Sequence, residues 1–323
     1  MIAYEAPTWL PGGHAQTIYP LLIRPAPLPY HRERWATPDG DFIDVDWAAP
    51  PQSVRAGPGR PLLVLFHGLE GSSASHYAVS LMRALAAIGW TGAVVHFRGC
   101  SGELNRLPRA YHSGDSEEID WVLRRLQARF SNRSRYAVGV SLGGNVLLKW
   151  LGERGTAASD VLQAAAAISA PLDLAASGHH LGRNFNRLYT AYFLRTLKRS
   201  ARDRLRRFPG LFDEQRMAAA RTLYEFDDAV TAPLHGFAGV DDYWRRASSK
   251  PWLAGIRLPT LILNATNDPF LPASALPSPH DTARAVRLEF PSHGGHVGFV
   301  VGRPPGSIAW LPQRILHFLQ HEV

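Results

Sequence analysis

The pentapeptide Gly139-Val140-Ser141-Leu142-Gly143 carries the clearest chemical content in this chain. A serine between two glycines fits the G-x-S-x-G elbow, a strained turn from strand to helix that exposes the hydroxyl oxygen. The bare pattern is only moderately specific. Its flanks decide the reading: Arg135-Tyr136-Ala137-Val138 is strand-like, and Leu142 to Trp150 is helix-like. Glycines at both ends remove Cβ groups where the chain must come close to itself, and the helix N-terminus behind Ser141 favours developing negative charge.

A serine hydroxyl is a weak nucleophile without a base to take its proton. Of fourteen histidines, His296 in Ser292-His293-Gly294-Gly295-His296-Val297-Gly298-Phe299 has the right place, in a Gly-rich loop after the last strand-like run and before the last helix. It is preferred over His293 because its neighbours are apolar and suit an enclosed site. A His-x-x-His metal pair is discounted, since no helix presents the two and no nearby Cys or Glu completes a ligand set. The imidazole in turn needs an acid to fix its tautomer. Asp268, in Asn267-Asp268-Pro269 after the run Leu261-Ile262-Leu263-Asn264, is preferred to Asp173, and gives the chain order Ser, Asp, His. His67-Gly68-Leu69-Glu70-Gly71 follows another strand-like run. The backbone N–H groups of Leu69 and Leu142 are expected to bind an oxyanion, with His67 in a structural role. Such a site performs acyl transfer and needs no metal or organic cofactor.

These residues must be brought together by the elements around them. Leu62–Phe66, Gly92–Phe97, Tyr136–Val140, Ala164–Ser169, Thr260–Asn264 and Val286–Phe290 are short apolar runs without polar alternation, as strands buried on both faces require. Helical patterns lie between them, over His76–Ile88, Asp115–Phe130, Leu142–Glu153 and Ala309–His321. This rhythm predicts an α/β fold with a mostly parallel sheet and helices on both faces. Glu33–Ala36 and Phe42–Trp47, joined by Thr-Pro-Asp-Gly-Asp, predict an antiparallel hairpin at one edge. Gln52–Pro61 reads as a surface loop. From about Leu172 to Gly255 no convincing strand occurs, which predicts a helical cap inserted in a single domain spanning residues 1–323.

The sequence, with 323 residues, 46% hydrophobic and 19% charged, can bury a large core. Its lone Cys100 excludes an intrachain disulfide and fits a reducing compartment. No signal-peptide pattern opens the chain, and no stretch of about 18 apolar residues would span a bilayer. A cytoplasmic location is the expectation.

The net charge of +8 is local. Between Arg195 and Arg207 seven basic residues face Asp203 alone, which accounts for +6 of it. Leu188, Tyr192, Leu197, Ala201, Leu205 and Phe208 recur there at near-helical spacing, with Arg195, Lys198, Arg199, Arg202 and Arg206 largely opposite. The preferred reading is a solvated cap helix packing its apolar stripe on the sheet; the second is peripheral contact with an anionic membrane. Nucleic acid is not expected, since no binding motif accompanies the charge.

Several further segments resemble the YheT-type branch of the α/β-hydrolases, the abhydrolase-domain proteins related to acylglycerol and phospholipid hydrolases. They are Trp9 to Thr17, Phe97 to Gly102, Tyr111 to Gly114, Tyr243 to Ser249, Asn267 to Phe270 and Gly294 to Phe299. The resemblance covers nearly the whole chain. It implies an α/β-hydrolase fold, a charge relay of Ser141, Asp268 and His296, and carboxylesterase or acylglycerol lipase activity on a small-molecule or lipid ester. His96 stands where the family has Asn before Phe-Arg-Gly, so no role is carried over to it. Thioesters, amides or peroxides are alternative substrates for the same site. A non-catalytic lipid-binding protein is the alternative of another class, and the intact set of Ser, Asp, His and oxyanion loop argues against it.

Overall fold

The computed structural model describes residues 3–23, 25–48 and 59–323. The loop expected over Gln52–Pro61 lies, through Pro58, outside them. The strands are β1 (His31–Ala36), β2 (Phe42–Trp47), β3 (Leu62–Phe66), β4 (Thr91–Val95), β5 (Arg135–Val140), β6 (Ala164–Ile168), β7 (Thr260–Leu263) and β8 (Val286–Glu289). They form one sheet in the order β1-β2-β4-β3-β5-β6-β7-β8. The hairpin β1–β2 is antiparallel and joins β4 antiparallel; the other neighbours run parallel.

Alternation along β3 to β7 feeds two separate cores. Val64 and Phe66 point to one face with Ala137, Leu147 and Trp150, while Leu63 and Leu65 point to the other with Met82, Leu85 and Phe318. The first face is covered by α3 (Ser116–Arg129) and α4 (Leu142–Arg154), the second by α2 (His76–Ala87) and α10 (Trp310–His321). β3 and β6 are wholly buried and carry no polar alternation. β8 departs from the run expected over Val286–Phe290: Val286-Arg287-Leu288-Glu289 alternates and is half-buried throughout, because it is the edge strand.

Between β6 and β7 the described chain is helical: α5 (Leu174–Leu181), α6 (Arg187–Arg207), α7 (Glu214–Ala219), α8 over 223–234 with a π turn at Asp227–Thr231, and α9 (Val240–Ala247). Buried Asn145 on α4 ties this segment to the sheet. Its Nδ2 donates to the carbonyls of Ser113 (2.7 Å) and Ala247 (2.8 Å), and its Oδ1 accepts from Ser249 N (2.9 Å). A Cβ on Gly114 would lie 2.7 Å from Ala247, so the Tyr111–Gly114 and Tyr243–Ser249 segments meet backbone to backbone.

Helix α6 departs from the expected amphipathic arrangement. Its buried residues are Thr190, Leu194, Ala201 and Arg204, while Leu188 and Tyr192 are each 61% exposed. Two residues are about 200° apart on a helix, so Leu188 and Tyr192 fall opposite Thr190 and Leu194 rather than in one stripe with Ala201. The expected basic face is thinner too. Lys198 Nζ donates to the carbonyls of Ala218 and Ala220, and Arg206 pairs with Asp203. Arg195, Arg199 and Arg202 remain as exposed cations that pair with no carboxylate among the described residues.

Candidate active site

Because β3, β5, β7 and β8 run parallel, the loops that follow them share the carboxyl edge of the sheet. Ser141 follows β5 at once, with φ 53° and ψ −120°, a sparsely populated conformation for a side-chain-bearing residue. Such strain typically costs about 1–3 kcal/mol and persists only where the surroundings enforce it. Here they do. A Cβ on Gly143 would lie 2.3 Å from the Phe66 carbonyl oxygen, and one on Gly139 2.4 Å from that of Gly143. Ser141 N donates to Ile168 O (2.8 Å) and Gly143 N to His67 O (3.2 Å), locking the turn between β3 and β6.

The Ser141 hydroxyl meets His296 Nε2 at 3.0 Å, and His296 Nδ1 meets Asp268 Oδ2 at 2.9 Å. A carboxylate only accepts, so Nδ1 carries the proton and Nε2 is left to accept from the serine. Asp268 is buried, and its Oδ1 accepts from Phe270 N (2.8 Å). The Phe270 ring stacks on the imidazole with centroids 4.0 Å apart. The two rivals are elsewhere. His293 is exposed and bonded to Ser292 Oγ, and Asp173 caps α5 by accepting from Ala176 N.

A helix of six residues, α1 (Gly13–Ile18), holds the acid and histidine loops together. Gln16 Oε1 accepts from Asn267 Nδ2 (3.0 Å) and Gly294 N (2.8 Å), and Thr17 Oγ1 accepts from His296 N (2.8 Å). Sequence reading assigned no job to Gln16 or Thr17. The resemblance of Trp9 to Thr17 was the signal available, without a mechanism attached.

Leu69 and Leu142 line one cavity with Ser141 and His296. Among the described residues neither backbone N–H has an acceptor, whereas those of Gly68, Glu70, Gly71 and Gly143 are all bonded. His67 is structural: Nδ1–H donates to Gly68 O (2.7 Å) and Nε2 accepts from Phe97 N (3.1 Å). Burial lowers its pKa to about 3, so the ring stays neutral. Buried His96 is structural as well, set between Asp46 Oδ2 (2.8 Å) and Cys100 O (3.2 Å).

Two cavities open from Ser141. One, of about 520 Å³, lies beneath the helical segment and includes Tyr111, Arg204, Asp227 and His235. The other, of about 790 Å³, runs between α6 and the N-terminal segment and is lined by Ile18, Leu21, Ile23, Leu28 and Val79. Among the described residues no cluster of three or more His, Cys, Asp or Glu side chains converges to hold a metal.

A family model described as the alpha/beta hydrolase fold matches residues 61–302. The chain belongs to this family. The hydrolase is 42% identical to the Escherichia coli (strain K12) protein YheT, over 95% of this chain and 89% of that one. It is 30% identical to human Phospholipase ABHD3, over 98% of this chain and 78% of the relative. Among solved structures, Est1E from Butyrivibrio proteoclasticus with bound ferulic acid superposes with a TM-score of 0.57 at 16% identity. That likeness covers 89% of this chain and 97% of Est1E, and concerns the fold.

Asp227, on the smaller cavity of the hydrolase, accepts from Trp244 Nε1 (2.8 Å) and Thr231 Oγ1 (2.6 Å). Burial raises its pKa from 3.8 to about 6. Above pH 6 the folded state holds a disfavoured charge; below about 4 the group is protonated folded or unfolded and that cost vanishes. Asp227→Asn keeps an acceptor and removes the charge. Thermal unfolding should therefore show the variant more stable than the parent at pH 7, with the gap closing by pH 4. An equal gap at both values would refute an ionised Asp227.

Proposed function

We propose that the chain hydrolyses carboxylic esters by acyl transfer through Ser141. The observation that carries this is the unbroken chain of hydrogen bonds from Ser141 through His296 to Asp268. In the first step Ser141 Oγ attacks the ester carbonyl carbon while its proton passes to His296 Nε2. Asp268 stabilises the imidazolium that results. The carbonyl oxygen, now an oxyanion, is held by the free N–H groups of Leu69 and Leu142. Each such donor is typically worth about 10²–10³ in kcat. Collapse of the tetrahedral intermediate expels the alcohol, protonated by His296, and leaves an acyl-serine. Water, deprotonated by the same imidazole, releases the acid.

An ester is preferred over a thioester or amide on the company the chain keeps: YheT carries a provisional esterase name, and ABHD3 is named a phospholipase. The apolar cleft beside Ile18, Leu21 and Leu28 suits an acyl chain. The helices between β6 and β7 act in this reading as a cap over the other cavity. A panel of nitrophenyl esters of increasing chain length tests it. Ser141→Ala should lower kcat by at least about 10⁴-fold on every member while the fold is retained. Residual turnover within tenfold of the parent would sink the assignment.

Peripheral contact with an anionic lipid surface follows from the mouth of the cleft. Ile18, Leu21 and Tyr192 line it and are 41%, 59% and 61% exposed. Arg195, Arg199 and Arg202 are exposed along the same helix as Tyr192. No helix among the described residues is long and apolar enough to cross a membrane. Near an anionic surface each cation contributes about 1 kcal/mol. Exchanging the three arginines for Gln should thus weaken sedimentation with phosphatidylserine vesicles about a hundredfold, and most at low salt. Unchanged sedimentation would make the cluster a solvated face.

A further inference from the structure

Arg204 is 5% exposed and lines the cavity that contains Ser141 and His296, yet it forms no ion pair among the described residues, and its Nε has no hydrogen-bond partner. Three other buried arginines have carboxylate or carbonyl partners, although Nη1 of Arg314 also lacks a bond among the described residues. Arg98, on the same cavity, pairs with Asp39, Asp41 and Glu118, and Arg314 pairs with Glu289 and Glu322. The guanidinium of Arg135 donates to the carbonyls of Val161, Phe130 and Arg133. A guanidinium stays charged at any physiological pH, and a buried charge without a partner is costly. The four carboxylates that line the cavity have partners of their own: Glu70 accepts from Tyr111 (2.9 Å), Asp203 pairs with Arg206, Glu103 pairs with Arg34, and Asp227 accepts from Trp244 and Thr231. On the same cavity His235 also presents a buried Nε2 without a partner among the described residues, its ring packed on His112 at 4.6 Å. Arg207 pins the end of α6 by donating to Asn105 O (2.9 Å), so Arg204 is held in place rather than free to swing out.

Taking the acyl-transfer reading of Ser141 as its basis, we infer that Arg204 receives an anionic group on the alcohol portion of the ester substrate. The division of the site supports that side. The apolar cleft past Leu21 and Leu28 takes the acyl chain, and the cavity holding Arg204 and His235 takes the polar alcohol. A planar guanidinium binds phosphate or carboxylate in two-point fashion, so both are within its chemistry. Arg204 is then a specificity residue, and its effect falls on binding of the charged substrate.

Two substrate pairs separate the sources. Hexanoyl glycerol 3-phosphate is compared with monohexanoyl glycerol, and the hexanoyl ester of 3-hydroxybutyrate with that of its methyl ester. The parent enzyme should favour the charged member of at least one pair by tenfold or more in kcat/KM, and the pair that shows it names the anion. Arg204→Met should abolish the preference through KM, whereas Arg187→Gln, at an exposed position at the far end of the same helix, should keep it. In the parent protein, glycerol 3-phosphate or 3-hydroxybutyrate should inhibit hydrolysis of the uncharged ester competitively, and glycerol should not. This readout holds even where the Met variant folds poorly. No charge preference in the parent, or a preference that survives in folded Arg204→Met, overturns the inference. Ser141→Ala runs alongside: hydrolysis that survives it overturns the acyl-transfer reading itself, whereas Ser141-dependent hydrolysis without charge preference overturns the Arg204 assignment alone.

Discussion

At Gly143 the start of α4 comes so close to the end of β3 that a methyl group would overlap the Phe66 and His67 carbonyls. Most of the site follows from that contact. It forces Ser141 to positive φ, lifts its hydroxyl off the sheet edge, and sets the first turn of α4 beside the loop that carries Leu69. The bond from Gly143 N to His67 O joins the two segments. Their remaining N–H groups, those of Leu69 and Leu142, are thus left open on the serine side. Strain at one residue and two unbonded donors are local costs, and the buried parallel sheet supplies the stability that tolerates them.

The histidine and acid loops depend on a different constraint. They follow adjacent strands, β7 and β8, so the sheet brings them near one another, but it does not set their separation from Ser141. Gln16 and Thr17 of α1 bridge the two loops, and Val297 N, donating to Ser169 Oγ (3.1 Å), ties the histidine loop to the segment after β6. His296 N and Thr17 Oγ1 are 279 residues apart in sequence and 2.8 Å apart in space. Side chains held by such bonds keep the geometry that proton transfer requires without reorganising during the reaction. Phe270, stacked on the imidazole, keeps water from one of its faces.

Legibility in the sequence followed the range of the forces involved. The strands could be read because burial on both faces leaves an unmistakable apolar run, as in Leu62–Phe66 and Thr260–Leu263. Ser141, Asp268 and His296 could be picked out as neighbours because each stands in the loop at the carboxyl end of a strand and those strands are parallel. Gln16 and Thr17 could not, since their partners lie at the other end of the chain. The face of α6 was misread because near-helical spacing joined Leu188 and Tyr192 to Ala201, although they lie on opposite sides. Arg204 entered the sequence reading only as one of seven basic residues in a charge count, with no role of its own. Its burial depends on how the helical segment sits over Tyr111 and Gly99, which is a tertiary fact.

The central claim is that this geometry activates one serine among all those in the chain. Labelling the folded protein with a fluorophosphonate probe, followed by mass spectrometry of its peptides, tests it most directly. The account predicts one adduct, on Ser141, formed at least a hundredfold more slowly in His296→Gln. An adduct on another serine, or none on protein shown to be folded, would contradict it.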